Sequence, residues 1–155
     1  MENANLSVYF TALKLANEQK FLTVRFDQNG NIWTGWPVEW NGDNPRLFNN
    51  ALVNFPTGIV PNPSATGGVV IVGFSTKLNP VDNDQANLQN DTDTVLIAYK
   101  PDASVYWKHR VALTATRSEQ ATTVALDSEN NLYVAGAGGL YDNVTPMVGK
   151  LSLPR

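Results

Sequence analysis

An all-β fold made of repeated units is what this sequence predicts, and three observations carry the prediction. Turn formers punctuate the chain throughout, with 11 Gly, 9 Pro and 18 Asn among 155 residues. Between them stand short runs rich in Val, Ile, Thr and aromatic residues, the composition of strands. Segments of the first third then return, in the same order, in the last third. Apolar residues make up 43% of the chain, enough for a core, and charged residues 16%. The usual charged share is about 25%, and a disordered chain carries more. The longest apolar run, 69–74, is far short of the roughly 20 residues a membrane-spanning helix needs.

The elements follow from the repeat. Ser7-Val8-Tyr9-Phe10 recurs as Ser104-Val105-Tyr106-Trp107, and Asn17-Glu18-Gln19 as Ser118-Glu119-Gln120. Thr23 through Trp33 lines up with Thr123 through Tyr133. In each of these copies a β-rich run leads into a cluster of turn formers, Asp27 to Asn31 or Asp127 to Asn131, and a second strand begins after it. Asn29-Gly30 strengthens the first as a hairpin. The intervening segment 11–21 holds Ala, Leu, Lys, Glu and Gln, good helix formers. Its counterpart 111–120 is poorer in them, so strand or loop is favoured over helix. A middle copy shows in Val69-Val70-Ile71-Val72-Gly73, which matches Leu132 to Gly136, and in Asp93 to Lys100, which resembles Thr145 to Lys150. Prolines at 56, 61 and 63 blur its start. Thr94 to Lys100 and Val105 to Val111 flank Pro101-Asp102-Ala103-Ser104 as another hairpin. The reading is one domain, 1–155, of three units near 7–50, 51–103 and 104–155. Leu126, Leu132, Val134, Val124, Val95, Ile97, Ile71, Val69, Val24 and Ile32 are its expected core.

Four short antiparallel strands with their turns fill roughly 40–50 residues, the size of a propeller blade. The run from Asp127 to Gly136, followed by Met147 to Leu151, resembles the bacterial SBBP-type β-propeller repeat. The strand-turn-strand from Tyr99 to Trp107 is similar to it too. The resemblance is strongest over 93–151 and partial over 7–36. It departs at Asn130, where that repeat usually has Gly, and in the middle unit, which lacks the Asp turn. It implies a β-propeller-like fold of about three four-stranded units serving as a binding platform. Propellers close with 4–8 blades, so three units imply closure by oligomerisation, with two chains head to tail making a homodimer of six blades.

Charge and cysteine narrow the functions. Net charge is −3, and no stretch concentrates Lys and Arg beyond Lys108-His109-Arg110, which argues against nucleic-acid partners. There is no cysteine, hence no disulfide, thiolate metal site or cysteine nucleophile. The N-terminus shows neither a basic nor a long apolar leader region, so a cytoplasmic protein without membrane insertion is expected.

Trp33, Trp36 and Trp40 fall close together. Indole faces stack on sugar rings, and Asn, Asp and Glu bond hydroxyls. Trp36, Trp40, Glu39, Asn41 and Asp43 are therefore the candidate glycan-binding set. The structural alternative has Trp33 packed between units, like Tyr133, with the others covering an edge or interface. Asp27-x-Asn29-x-Asn31 and Asp127-x-Glu129-x-Asn131 share the opening spacing of a calcium loop. Neither has Gly at the sixth position nor Glu at the twelfth, and an Asx-capped turn explains both. Asp82, Asp84, Asp91 and Asp93 are weak metal candidates in and beside the polar segment 78–90, which reads as a solvated insertion. No cofactor is expected. His109 is the lone histidine and no Gly-x-Ser-x-Gly accompanies it. Glycines 136, 138 and 139 lack the Lys-Ser/Thr of a phosphate loop. The expectation is a non-catalytic binding or scaffold module, with glycan recognition first. A purely self-assembling structural protein is the alternative, and a propeller-type lyase or hydrolase the second.

Overall fold

The computed structural model describes residues 7–15, 19–42, 54–63, 67–76, 92–111, 118–140 and 143–152. Among them strands joined by turns make up the chain, with no helix. β1 (Val8–Leu15), β2 (Gln19–Phe26) and β3 (Val38–Trp40) form a first sheet in that order. β4 (Asn54–Pro61), β5 (Val69–Thr76), β6 (Thr92–Tyr99) and β7 (Val105–Val111) form a middle sheet, and β8 (Ser118–Leu126), β9 (Leu132–Leu140) and β10 (Asn143–Leu151) a third. All pairings are antiparallel. The helix formers of 11–21 are overridden, and the parts of that segment described are strand, because the hairpin buries one of its faces. Four strands, the number expected per unit, occur in the middle sheet; the flanking sheets have three each among the described residues.

The sheets stack, and the middle one is buried on both faces. Side chains alternate across a strand, so Val69, Ile71, Val95, Ile97 and Tyr99 pack with Phe21 and Trp36 toward the first sheet. Val70, Val72, Leu96 and Ala98 pack with Ala121, Leu132 and Val134 toward the third. This explains the unbroken apolar run at 69–72: a strand covered on both sides has no polar alternation.

The repeat is visible in the backbone. Asp27 Oδ1 accepts hydrogen bonds from Asn29 N (2.8 Å) and Asn31 N (2.9 Å), and Asp127 Oδ1 from Glu129 N (2.9 Å) and Asn131 N (2.8 Å). Gly30 (φ 82°) and Asn130 (φ 64°) take the same left-handed corner; Asn is among the few side chains that tolerate it. The Asn31 backbone N–H chiefly holds Asp27 below the usual carboxylate range, and the Asn131 side-chain amide, donating to Asp127 Oδ2 at 2.8 Å, chiefly does so for Asp127. β4 and β8 each carry a bulge, one beside Thr57 and one beside Thr122, opposite Gly73 and Gly136. A Cβ on Gly73 would lie 2.8 Å from Pro56 Cα, and one on Gly136 the same distance from Ala121 Cα. Glycine is therefore required where the bulged strand crosses close.

One expected core residue is corrected. Ile32 is 53% exposed, whereas Leu132, its counterpart in the repeat, is completely buried. Leu132 faces the middle sheet; Ile32 lies on the outer side of the first sheet, where no further sheet covers it among the described residues.

Candidate functional site

The tryptophan-rich segment leaves the hairpin after Asn31 and returns as β3. Trp36 is 6% exposed and stands between Tyr9 (5.5 Å, edge-on) and Tyr99 (5.8 Å, edge-on). Its Nε1 donates to the Pro101 carbonyl at 3.2 Å. Arg25, itself buried, donates to the same carbonyl (2.8 Å) and to Ser7 Oγ (2.9 Å), and lies 4.0 Å above the Trp33 ring. Tyr9 O–H donates to the Gly67 carbonyl. These contacts tie the first sheet to the turn between β6 and β7 and to the start of β5. Burial pushes the Tyr9 hydroxyl up, with Arg25 opposing it, and pushes the Tyr99 hydroxyl up to about 12.

Of the five glycan candidates, Trp36, Glu39 and Trp40 do not share a face. Trp40 is half-buried and packs edge-on against Phe21 at 4.9 Å, on the side facing the middle sheet. Glu39 precedes it on β3 and so points to the opposite face. There it pairs with Lys14 and lies 3.9 Å from Lys20, which holds its carboxyl below the usual range. Asn41 is half-buried, and Asp43 lies outside the described residues. The ring of Trp36, enclosed in the core, presents no face to a sugar.

Of the metal candidates, Asp82, Asp84 and Asp91 lie outside the described residues, as does segment 78–90. Asp93 is buried and pairs with Arg110 at 3.1 Å. No group of three or more His, Asp or Glu that could hold a metal is found among the described residues.

Sequence reasoning missed a buried polar network at one end of the stack. Asn54 Nδ2 donates to the Gln19 carbonyl (2.8 Å), and Ser75 Oγ to Asn54 Oδ1 (2.6 Å). Arg110 bridges Asp93 and the Ser75 carbonyl, and Glu119 is fully buried nearby on β8. The available signal was charged and amide residues at the ends of otherwise apolar strands.

Among the described residues, the outer faces of the first and third sheets carry exposed apolar side chains. Directly opposed residues share a face. Val8 pairs with Phe26, Phe10 with Val24, and Ala12 with Leu22. With Ile32 they make the outer face of the first sheet apolar, rimmed by Lys14, Lys20 and Glu39; Val8, Phe10 and Ile32 are its exposed part, while Val24 is buried. On the third sheet, Tyr133, Ala135 and Ala137 oppose Lys150, Val148 and Pro146 on the outer side. Val148 there is 77% exposed. Isolated exposed apolar residues are ordinary, but a contiguous apolar patch marks an interaction surface. The chain matches no protein-family model and no curated protein.

Proposed function

We propose that this chain is a non-catalytic scaffold module that associates with copies of itself, its three stacked sheets being half of a propeller-like ring of six. One observation carries the reading. The outer face of the first sheet repeats the face of the third sheet that packs on the middle one: Phe26 and Ile32 stand where Leu126 and Leu132 stand. Leu132 is sealed by Val70, Val72, Leu96 and Ala98, whereas Ile32 is open to solvent. The outer face of the third sheet is the complementary one, because its Tyr133 and Ala135 take the places of Val70 and Val72. One face of each kind per chain makes a head-to-tail contact, which closes when the rotation permits.

Charges placed on each face test this. Phe10→Asp and Val148→Asp should each weaken association at least about tenfold, ~1.4 kcal/mol. Neither should lower the melting temperature of the isolated chain. Mixed together they should restore one joint, since each keeps the face the other lacks. Unchanged association in both variants would sink the proposal.

A further inference from the structure

Two pairs of strands that the repeat makes equivalent are arranged differently. Ser7 to Phe10 returns as Ser104 to Trp107, so β1 corresponds to β7, and Thr23 to Phe26 returns as Thr123 to Leu126, so β2 corresponds to β8. β7 lies in the middle sheet on the edge of β6, while β8 belongs to the third sheet. β1 and β2 instead pair with each other, from Val8 opposite Phe26 to Leu15 opposite Gln19. Among the described residues the third sheet has counterparts of β4, β5 and β6 but none of β7. The outer edge of β10 has no strand beside it among the described residues. A cavity of about 90 Å³ lies next to β10, between the middle and third sheets, lined by Val111, Ala121, Val134, Met147, Gly149 and Leu151. Gly149 opposes Val134 as Ile97 opposes Ile71. Ile97 is fully buried, yet a Cβ built on Gly149 meets nothing within 4 Å.

We propose that β1 of a second copy leaves its own β2 and supplies the missing fourth strand of the third sheet, antiparallel along the outer edge of β10. The inference rests on the self-association reading and names its contact. The register transfers from the middle sheet, where Ile97 opposes Lys108, Leu96 opposes His109 and Val95 opposes Arg110. Thr11 then comes opposite Gly149, Ala12 opposite Val148, and Leu13 opposite Met147. Leu13 joins Met147 and Gly149 on the cavity side, and Ala12 covers the exposed Val148. Pro146, which has no N–H, ends the pairing. An unpaired edge is a template for a further strand. Exchange of one element between identical copies replaces one strand pairing by a similar one, and gives up the contacts of Tyr9 with Trp36 and Gly67 and of Lys14 with Glu39.

The chain has no cysteine, so introduced pairs report alone. Opposed positions in an antiparallel pair lie about 4.5–5.5 Å apart between Cα atoms, which suits a disulfide. Oxidised T11C/G149C should run as a covalent dimer on a denaturing, non-reducing gel. T11C/T23C, which spans the β1–β2 pairing, should stay unlinked in the assembled fraction. An assembled protein that links T11C/T23C within the chain and leaves T11C/G149C unlinked overturns strand exchange but leaves self-association standing. A T11C/G149C link inside one chain also overturns it. A chain that is monomeric at every concentration overturns both readings. Hydrogen exchange of the unsubstituted chain reads the same pairing without substitution. Amides of β10 should gain at least tenfold protection on assembly, and unchanged protection in the assembled protein contradicts the proposal.

Discussion

Leu132 and Ile32 hold the same place in the repeat, one inside the stack and one outside, so the same truncation should have different costs. Leu132→Ala deletes three carbons from a completely buried side chain. At about 0.8 kcal/mol per buried CH₂ the transfer loss is ~2.4 kcal/mol. The residual cavity raises it to ~3–4 kcal/mol. Ile32→Ala deletes the same number of carbons, but 53% of that residue already faces water. The loss there is about 1 kcal/mol, with no cavity left behind. The assay is urea unfolding of dilute, monomeric protein followed by tryptophan fluorescence, with the slope m compared between variants. In a thermal scan of the same protein, at roughly 2–4 °C per kcal/mol for a domain of this size, Leu132→Ala should melt about 6–16 °C lower and Ile32→Ala about 2–4 °C lower. Equal losses in the two variants would refute the stacking order derived above.

Three further outcomes follow from named contacts. Gly136→Ala and Gly73→Ala drive a Cβ into the bulged strand and should each cost ~1–3 kcal/mol or more, whereas Gly149→Ala should stay within about 0.5 kcal/mol; three similar melting temperatures would contradict the bulge geometry. Asp93→Ala leaves Arg110 without its buried carboxylate and should cost about 3 kcal/mol, the low end for a broken buried pair because Arg110 keeps some contact with water; thermal unfolding at neutral pH reads it, and a loss below ~1 kcal/mol would rule out the pair as a structural element. The Tyr99 hydroxyl, raised by burial from 10.0 to about 12, holds its proton longer in the folded than in the unfolded chain. Its contribution is complete below pH 10 and is lost as pH rises toward 12. Tyr99→Phe should flatten that part of the alkaline unfolding curve, and a curve with the original slope would contradict the assignment.

Much of the fold is legible in the residues. The Asp turns announce themselves because one carboxylate satisfies several amides at fixed spacing, and Asp27 and Asp127 do so in the same way. The β6–β7 hairpin follows from Pro101 and the Asp102–Ser104 contact, in which Asp102 Oδ1 accepts from Ser104 N at 3.0 Å. Nine of the ten residues named as core are buried or packed against the core; the tenth, Ile32, shows why the repeat misleads at an end. Periodicity says which face is apolar, but only the number of sheets says whether a neighbour covers it. The double burial of β5 and β6 was readable in the run Val69 to Val72, but its partners, Phe21 and Trp36 on one side and Ala121 on the other, required the stacking. The candidate glycan site was less legible. Proximity of Trp36, Glu39 and Trp40 in sequence says nothing of the face each takes: β3 alternates Glu39 against Trp40, and Trp36 turns inward to bond the Pro101 carbonyl. Nor does composition reveal a network such as Asn54, Ser75, Asp93 and Arg110, whose members come from four strands.

Sedimentation equilibrium across low micromolar concentrations tests self-association most directly. The two-chain ring predicts an assembled mass of twice the chain's 16.9 kDa. A single species at the mass of one chain, unchanged as concentration rises, would contradict it.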